Sequence, residues 1–333
     1  MCYHCRMNEH NLICTAFAFK EGFDTSLQLG QKASNSTTST YLKNILVTLA
    51  SAKLCNPDAA VVLFTNTDVP SEWSSSFSQA GISTQVCPFD SFVISKDYTW
   101  ALAYYKLCVL SHIVGDNSKN RKYDHILLMD ADTYSARAYD ELWKEADLGV
   151  LMYEVGHSYD HRDREIIRKD FVKFYPDEAK NTAIVHYGGE FIAGKQEYLL
   201  SFLDTCSKVF HRMTGDENLK LEQKAGDETI WSVAAALTDV PILHAGAYIY
   251  RFWTQDFYLV STVTESNPVC IWHVPSEKED GFLRLYEYYK AHRSFPSVRK
   301  AASYFGIPSA KRKPSFLHFL FKVKKKLWIK NRK

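Results

Sequence analysis

The segment HILLMDADTYSAR, His125 to Arg137, constrains this chain more than any other. Its large apolar residues follow a charged, Asn-rich loop and read as a strand buried on both faces. The run stops at Asp130, Ala131 and Asp132. Burying an unpaired carboxylate is costly, so cationic partners are expected around these acids. In open α/β sheets, ligands bind at the carboxyl ends of the strands. Residues i and i+2 of an extended chain point to one side, so both carboxylates can face one divalent ion and the phosphate oxygens it holds. All-oxygen ligation favours a hard ion, Mn2+ or Mg2+, over zinc. The competing reading is an Asp-rich turn that simply ends a strand.

Around this segment the chain alternates strand and helix patterns. NLICTAFAF, Asn11 to Phe19, predicts a first strand, and the Ser/Thr/Asn/Gly-rich stretch from Gly30 to Thr40 a mobile loop. Ser39 or Thr40 then caps a helix whose Leu42, Ile45, Leu46, Leu49 and Ala50 follow the 3.6-residue period, and Asn56-Pro57 ends it. Ala59 to Asn66 and Ile82 to Phe89 predict two further strands, with a helix around Trp73 to Gln79 between them. Thr99 to Val114 is apolar nearly all round and predicts a buried helix with Lys106 as its lone permanent charge. Leu148 to Val155 predicts another strand, Gln196 to Phe210 a helix, and Val269 to Pro275 a short strand ending in His273. In HYGGEFIAG, Gly188 and Gly189 let backbone approach a ligand closely. In AGDETIW, Gly226 and Asp227 sit at a helix cap with Glu228 in its first turn. This alternation predicts an α/β fold around a mostly parallel sheet.

At 333 residues and 46% hydrophobic the chain can bury a large core, which excludes overall disorder. No uninterrupted apolar run is long enough to span a bilayer and the first residues are polar, so a cytoplasmic protein is expected. Cys14, Cys55, Cys108 and Cys270 fall in predicted core elements, which fits reduced thiols. Cys2 and Cys5 form a CxxC near His4 and His10, but no second pair completes a zinc site.

The net charge of +2 conceals an asymmetry. Lys311 to Lys333 contains ten Lys or Arg and no acid, which leaves −8 for the rest of the chain. As a helix, Phe316, Phe319, Leu320, Val323 and Leu327 would form one apolar stripe, with Lys322, Lys325 and Lys326 off it. Such a helix can lie on an anionic membrane, so a peripheral location on the cytoplasmic face of a membrane is expected. The competing readings are a solvated basic tail and a nucleic-acid-binding one, and no nucleic-acid partner is expected.

The order and spacing of these motifs from about Asn11 to about Lys278 resemble the metal-dependent glycosyltransferases of the GT-A fold. The likeness is greatest to family 8, which includes glycogenin and bacterial lipopolysaccharide galactosyl- and glucosyltransferases. LLMDADTY resembles that family's metal-binding Asp-x-Asp, which implies that Asp130, Ala131 and Asp132 meet a Mn2+ ion and the donor diphosphate. The resemblance implies His273 as the third metal ligand and Lys106 as a nucleotide-sugar contact. It places Gly188 and Gly189 against the donor sugar, and Asp227 on the sugar hydroxyls. Lys278 corresponds to a diphosphate-binding lysine, although the family's Gly and Lys-Pro-Trp context is missing around it. Thr15, Ala16 and Phe17 would bind the base edge through backbone groups, and Tyr41 would stack on a uracil. Family 8 usually has Gln after its acidic residue; the Asp227-Glu228 pair is closer to the retaining family 6, which implies a catalytic role for Glu228.

The resemblance implies a GT-A fold, Rossmann-like with a mostly parallel central sheet and flanking helices, over residues 1–285; the charge and apolar stripe of the tail add the expectation of a helical, basic membrane-association region over 286–333. It implies transfer of a hexose from a UDP-sugar to a hydroxyl of a glycan or glycolipid acceptor, with retention. The acceptor side would be built from Val155 to Phe174 and Tyr248 to Tyr258. Two other readings stay open. A sugar-1-phosphate nucleotidyltransferase would show a basic, Gly-rich loop after the first strand, which KEGFDTSLQLGQK matches poorly. A non-catalytic nucleotide-sugar binder would not need all of Asp130, Asp132, Asp227 and His273.

Overall fold

The computed structural model describes residues 10–19, 35–95, 97–115, 123–155, 162–215, 219–222, 225–254 and 269–308, together with 320 and 323. Ten strands occur in them: β1 Asn11–Phe17, β2 Ala60–Thr65, β3 Ser83–Val86, β4 His125–Met129, β5 Thr133–Ser135, β6 Val150–Glu154, β7 Tyr187–Lys195, β8 Ile242–His244, β9 Ile249–Arg251 and β10 Ile271–His273. The α-helices are α1 Asn35–Cys55, α2 Ser71–Gln79, α3 Tyr105–Gly115, α4 Asp140–Ala146, α5 Arg162–Phe174, α6 Gln196–Thr214, α7 Asp227–Leu237, α8 Gly281–His292 and α9 Val298–Tyr304.

Seven strands form a central sheet in the order β3-β2-β1-β4-β7-β6-β8. All pairings in it are parallel except those of β7, which runs against both β4 and β6. The fold is therefore α/β, with a mostly parallel sheet and flanking helices compatible with a Rossmann-like arrangement. Successive residues of each inner strand serve opposite faces, as the two-residue period requires. Leu12, Cys14, Ile126 and Leu128 pack with α3, α6 and α7 residues such as Leu107, Phe202 and Ile230. Ile13, Leu127 and Met129 pack on the other face with Ile45 of α1, Phe77 of α2 and Leu142 of α4. A second sheet, β5-β10-β9, carries its own core of Tyr134, Phe252 and Trp272 against Phe282, Leu285, Ala301 and Phe305 of the C-terminal segment.

Strand order reverses between β1 and β4, because β2 and β3 continue on one side of β1 while the later strands lie beyond β4. The crevice outside the carboxyl ends of these two strands is where such sheets bind ligands. The β1–β4 ladder ends at Cys14 and Leu128, so β1 runs three residues further along its β2 edge, and its other edge opens at the crevice. Asp130 follows β4 directly.

Several boundaries differ from those expected. The helix predicted to start at Ser39 or Thr40 begins at Asn35, so those residues lie inside it rather than at its cap. The first turns of the predicted Thr99–Val114 helix are a 3-10 turn, Ala101–Tyr104, before α3 proper. The boundary expected at 285 falls inside α8, and packing continues through Ile307, so the folded body extends past it. Among the described residues, no helix is long and apolar enough to cross a membrane. Most of the tail stripe lies outside the described residues, as do Cys2, Cys5 and His4.

Candidate active site

The turn after β4 is fixed carbonyl by carbonyl. Thr133 Oγ1 donates to the Asp130 carbonyl at 2.9 Å, and the Val274 N–H to that of Asp132 at 3.0 Å. Thr48 Oγ1 of α1 lies 2.9 Å from the Ala131 carbonyl and 2.6 Å from that of Thr133. The turn that carries both aspartates is therefore held by Thr133, Val274 and Thr48 together. β10 pairs antiparallel with β5, with His273 opposite Thr133, which brings the imidazole onto the same turn. One ligand atom from each of Asp130, Asp132 and His273 lies within 4.8 Å of the others. A hard divalent ion bound at about 2.1 Å sets its ligand atoms about 3–4 Å apart, so little movement is needed to close on one. Two carboxylates and an imidazole are donors that a divalent cation accepts, and the group could hold a metal ion.

Cations face these acids, as the sequence predicts. Lys278 Nζ pairs with Asp132 Oδ2, and His273 Nε2 approaches Asp132 Oδ1 at 3.3 Å. Lys106 Nζ lies 3.0 Å from Asp130 Oδ1 and 2.7 Å from Asp227 Oδ2, and donates to the Gly189 carbonyl at 2.8 Å. The lone lysine of the apolar helix thus ties the metal side of the site to the start of α7. Burial disfavours its charge, but the two aspartates outweigh this and hold it above its ordinary range. Burial likewise opposes ionisation of Asp132, but Lys278 and His273 hold its carboxyl well below the usual range. Asp130 is shifted upward by burial and by its neighbour Asp132, against Lys106. Burial raises Asp227 to about 6, opposed by Lys106 and reinforced by Glu228.

The Gly pair is required by charge crowding. A Cβ on Gly189 would collide with Asp227 Oδ2 and come within 2.9 Å of Lys106 Nζ. One on Gly188 would collide with Glu190 and come within 2.7 Å of Arg251 Nη2. Glu228 projects into the site rather than along the helix. It accepts from His186 Nε2 at 2.7 Å, the Gly189 N–H at 3.1 Å and Arg251 Nη2 at 3.2 Å. Burial opposes its charge, but the His186 hydrogen bond and Arg251 hold its carboxyl at about 2.

Thr15, Ala16 and Phe17 occupy the open end of β1. The Thr15 hydroxyl is buried there with no partner among the described residues. The Phe17 ring lies 5.5 Å from that of Tyr41 on α1. Burial raises the Tyr41 hydroxyl, with Asp132 and Asp130 adding to the shift, which places it beside the acidic turn. Contacts thus join Asp130, Asp132, Lys106, Gly189, Asp227, Glu228, His273 and Lys278, and Thr15, Ala16 and Phe17 lie at the end of the neighbouring strand.

Three were missed: Glu190, Arg251 and His186. Glu190 is fully buried, faces His273 Nδ1 at 3.2 Å and is paired with Arg251. Its signal was present as a lone acid in an apolar strand, the same signal that marks Asp130. The cluster brings together Asp130, Asp132, Glu190, Asp227 and Glu228 against the permanent cations Lys106, Lys278 and Arg251. That deficit of positive charge lifts His273 to about 9: burial opposes its protonation, but Asp132 and Glu190 outweigh it. A divalent cation would supply the missing charge.

No protein-family model matches the chain, and no curated protein matches it. Fold and site define an α/β protein whose central-sheet crevice carries an Asp–Asp–His group able to hold a metal ion.

Proposed function

We propose that the chain is a metal-dependent glycosyltransferase of the GT-A type that moves a hexose from a UDP-sugar to an acceptor hydroxyl. The observation that carries this reading is the joining, through Lys106, of the Asp130–Asp132–His273 group to the Asp227–Glu228 pair. A donor spanning the two would place its diphosphate on the first and its sugar on the second. The open edge of Thr15 to Phe17, with Tyr41 beside it, is left for the nucleoside.

Bound at Asp130, Asp132 and His273, Mn2+ or Mg2+ would neutralise charge on the leaving diphosphate. Lys106 and Lys278 stand on either side of that position as fixed cations and would stabilise the same developing charge. Asp227 would accept from sugar hydroxyls. Glu228, held ionised by His186 and Arg251, would stabilise positive charge at the reacting carbon or attack it, consistent with retention. The acceptor would enter beside the exposed Trp253, whose ring lies 5.9 Å from the Arg251 guanidinium. A lipid-linked or membrane-bound glycan fits the basic tail.

Thermal shift across a panel of UDP-sugars, with and without Mn2+, tests the reading: one donor should stabilise the protein only with metal. With acceptor present that donor should yield UDP, EDTA should abolish turnover, and Asp132→Asn should abolish it with the fold intact. Full turnover in chelator would overturn the assignment of Asp130, Asp132 and His273.

A further inference from the structure

His273 is held from behind by two groups that the reaction proposed above does not use directly. Its Nε2 faces Asp132 and the metal side, while its Nδ1 lies 3.2 Å from Glu190 Oε1. Glu190 is fully buried on β7, and Arg251 occupies both of its oxygens. Arg251 Nε donates to Oε1 at 2.7 Å and Nη2 to Oε2 at 2.5 Å. Two parallel bonds from a planar guanidinium fix the plane of a carboxylate as well as its charge.

Strand register makes this arrangement rigid. In the parallel pairing of β9 and β10, Arg251 is the residue directly beside His273. The Arg251 N–H also donates to the Tyr153 hydroxyl at 3.2 Å, tying β9 to the end of β6. Gly188 leaves room for the pair, since a Cβ there would collide with Glu190. An imidazole that donates Nδ1–H to a carboxylate keeps its Nε2 lone pair for a metal, and such partners sharpen both ring orientation and ligand basicity. Arg251 Nη2 makes a further contact with Glu228 Oε1 at 3.2 Å, so one guanidinium backs both the metal ligand and the acid at the sugar.

We propose that Glu190, locked by Arg251, is the positioning residue that sets the tautomer and ring orientation of His273 for a divalent cation held with Asp130 and Asp132. This rests on the metal dependence proposed above. The competing role for Glu190 is neutralisation of a buried arginine, which would leave metal affinity unchanged.

Mn2+ binding to the full chain, read by electron paramagnetic resonance without nucleotide, separates the two, with circular dichroism to confirm the fold of each variant. Glu190→Gln should bind Mn2+ at least tenfold more weakly, the usual effect of losing such a partner. Glu228→Gln removes a charge from the same arginine without touching His273, and should stay within about threefold of the parent. Arg251→Lys, which leaves Glu190 charged but held at one point, should weaken binding too, and it carries the test if Glu190→Gln fails to fold. In the Mg2+-loaded parent, the ring nitrogen spectrum of His273 should place the proton on Nδ1. Parent-like binding by Glu190→Gln, equal losses in Glu190→Gln and Glu228→Gln, or a proton on Nε2 would each overturn the inference while leaving the proposed function standing. A parent that binds no Mn2+ would instead overturn the metal dependence itself, and this inference with it.

Discussion

A carboxylate in the first turn of a helix needs no partner, since the dipole favours it there by up to about 1 kcal/mol. Glu228 nonetheless holds three, His186, Arg251 and the Gly189 N–H, which fix it against the start of β7 and against β9. Glu228→Gln keeps the shape of that side chain and removes its charge. It should hold UDP-sugar affinity within a few-fold and add at least ~2 kcal/mol to the barrier, roughly thirtyfold in kcat. Parent-like turnover would reduce Glu228 to a helix-start residue. Glu228→Ala is the poorer probe, because it also removes the side-chain volume and both of the bonds that Glu228 makes to His186 and Arg251. A second buried acid is Asp170 on α5, whose oxygens accept the Glu222 N–H at 3.2 and 3.3 Å. Burial raises its carboxyl to about 6, against that N–H and Lys173. A raised carboxyl pKa means that the fold binds the proton more tightly than the unfolded chain does, so the stability it contributes at low pH is lost as pH rises through about 6. Asp170→Asn should therefore gain on the parent between about pH 4 and about pH 7, by on the order of 2 kcal/mol from urea midpoints; a pH-independent difference would exclude this. At this scale the sequence exposes acids that interrupt apolar runs, such as Asp130 and Asp132. Glu190 carries the same mark, but its charge is met by Arg251 of β9, a contact between the two sheets that no local pattern encodes.

The Asp-x-Asp turn is held from three places at once: β5, which it enters, Val274 just after β10, which supplies an N–H, and α1, which supplies Thr48. Thr48→Val keeps the volume of the side chain and removes its hydroxyl, leaving the buried carbonyls of Ala131 and Thr133 short of a donor. Urea denaturation should show a loss of about 1–3 kcal/mol. Because the same hydroxyl shapes the turn, Mn2+ affinity should fall severalfold as well. A stability loss with unchanged affinity would mean that β10 and Thr133 hold the aspartates unaided. The inner strands were legible because burial on both faces leaves continuous apolar runs: β1, β2, β4 and β6 all lie within their expected segments. β3 was legible as a strand although all four of its residues are exposed, since it lies at the sheet's edge beyond β2. Less was legible where tertiary contacts override local preference. The Ser and Thr residues that read as a cap before α1 lie within it, and the turn before α3 tightens to 3-10 geometry between Trp100 and Tyr105. The reversal of β7, which places Glu190 between β4 and β6, has no signature in the period of its residues.

Across the whole molecule, charge is divided between an acidic body and a basic end. The ten Lys and Arg from Lys311 onward follow a C-terminal segment that is itself part of the body: Ala301, Ala302, Phe305 and Ile307 are buried against Trp272, Phe282 and Leu285. Trp272 is the residue before the candidate ligand His273, so this packing also braces the metal side of the site. The described part of that core ends at Ile307. Leu320 and Val323, three residues apart on the expected stripe, are exposed. Electrostatic attraction to anionic lipid contributes about 1 kcal/mol per basic residue near the surface, and apolar burial adds to it. Truncation after Pro308 should therefore abolish sedimentation with phosphatidylglycerol vesicles and leave donor hydrolysis unchanged. The full chain's binding should weaken steeply as salt shortens the Debye length to below ~10 Å. Turnover on a water-soluble acceptor should survive the truncation, while turnover on a lipid-linked acceptor in vesicles should fall with the lost binding. Vesicle binding equal to that of the full chain would move the membrane contact from the tail to the body. Loss of donor hydrolysis would instead show that residues beyond Pro308 help to close the site beside Lys278.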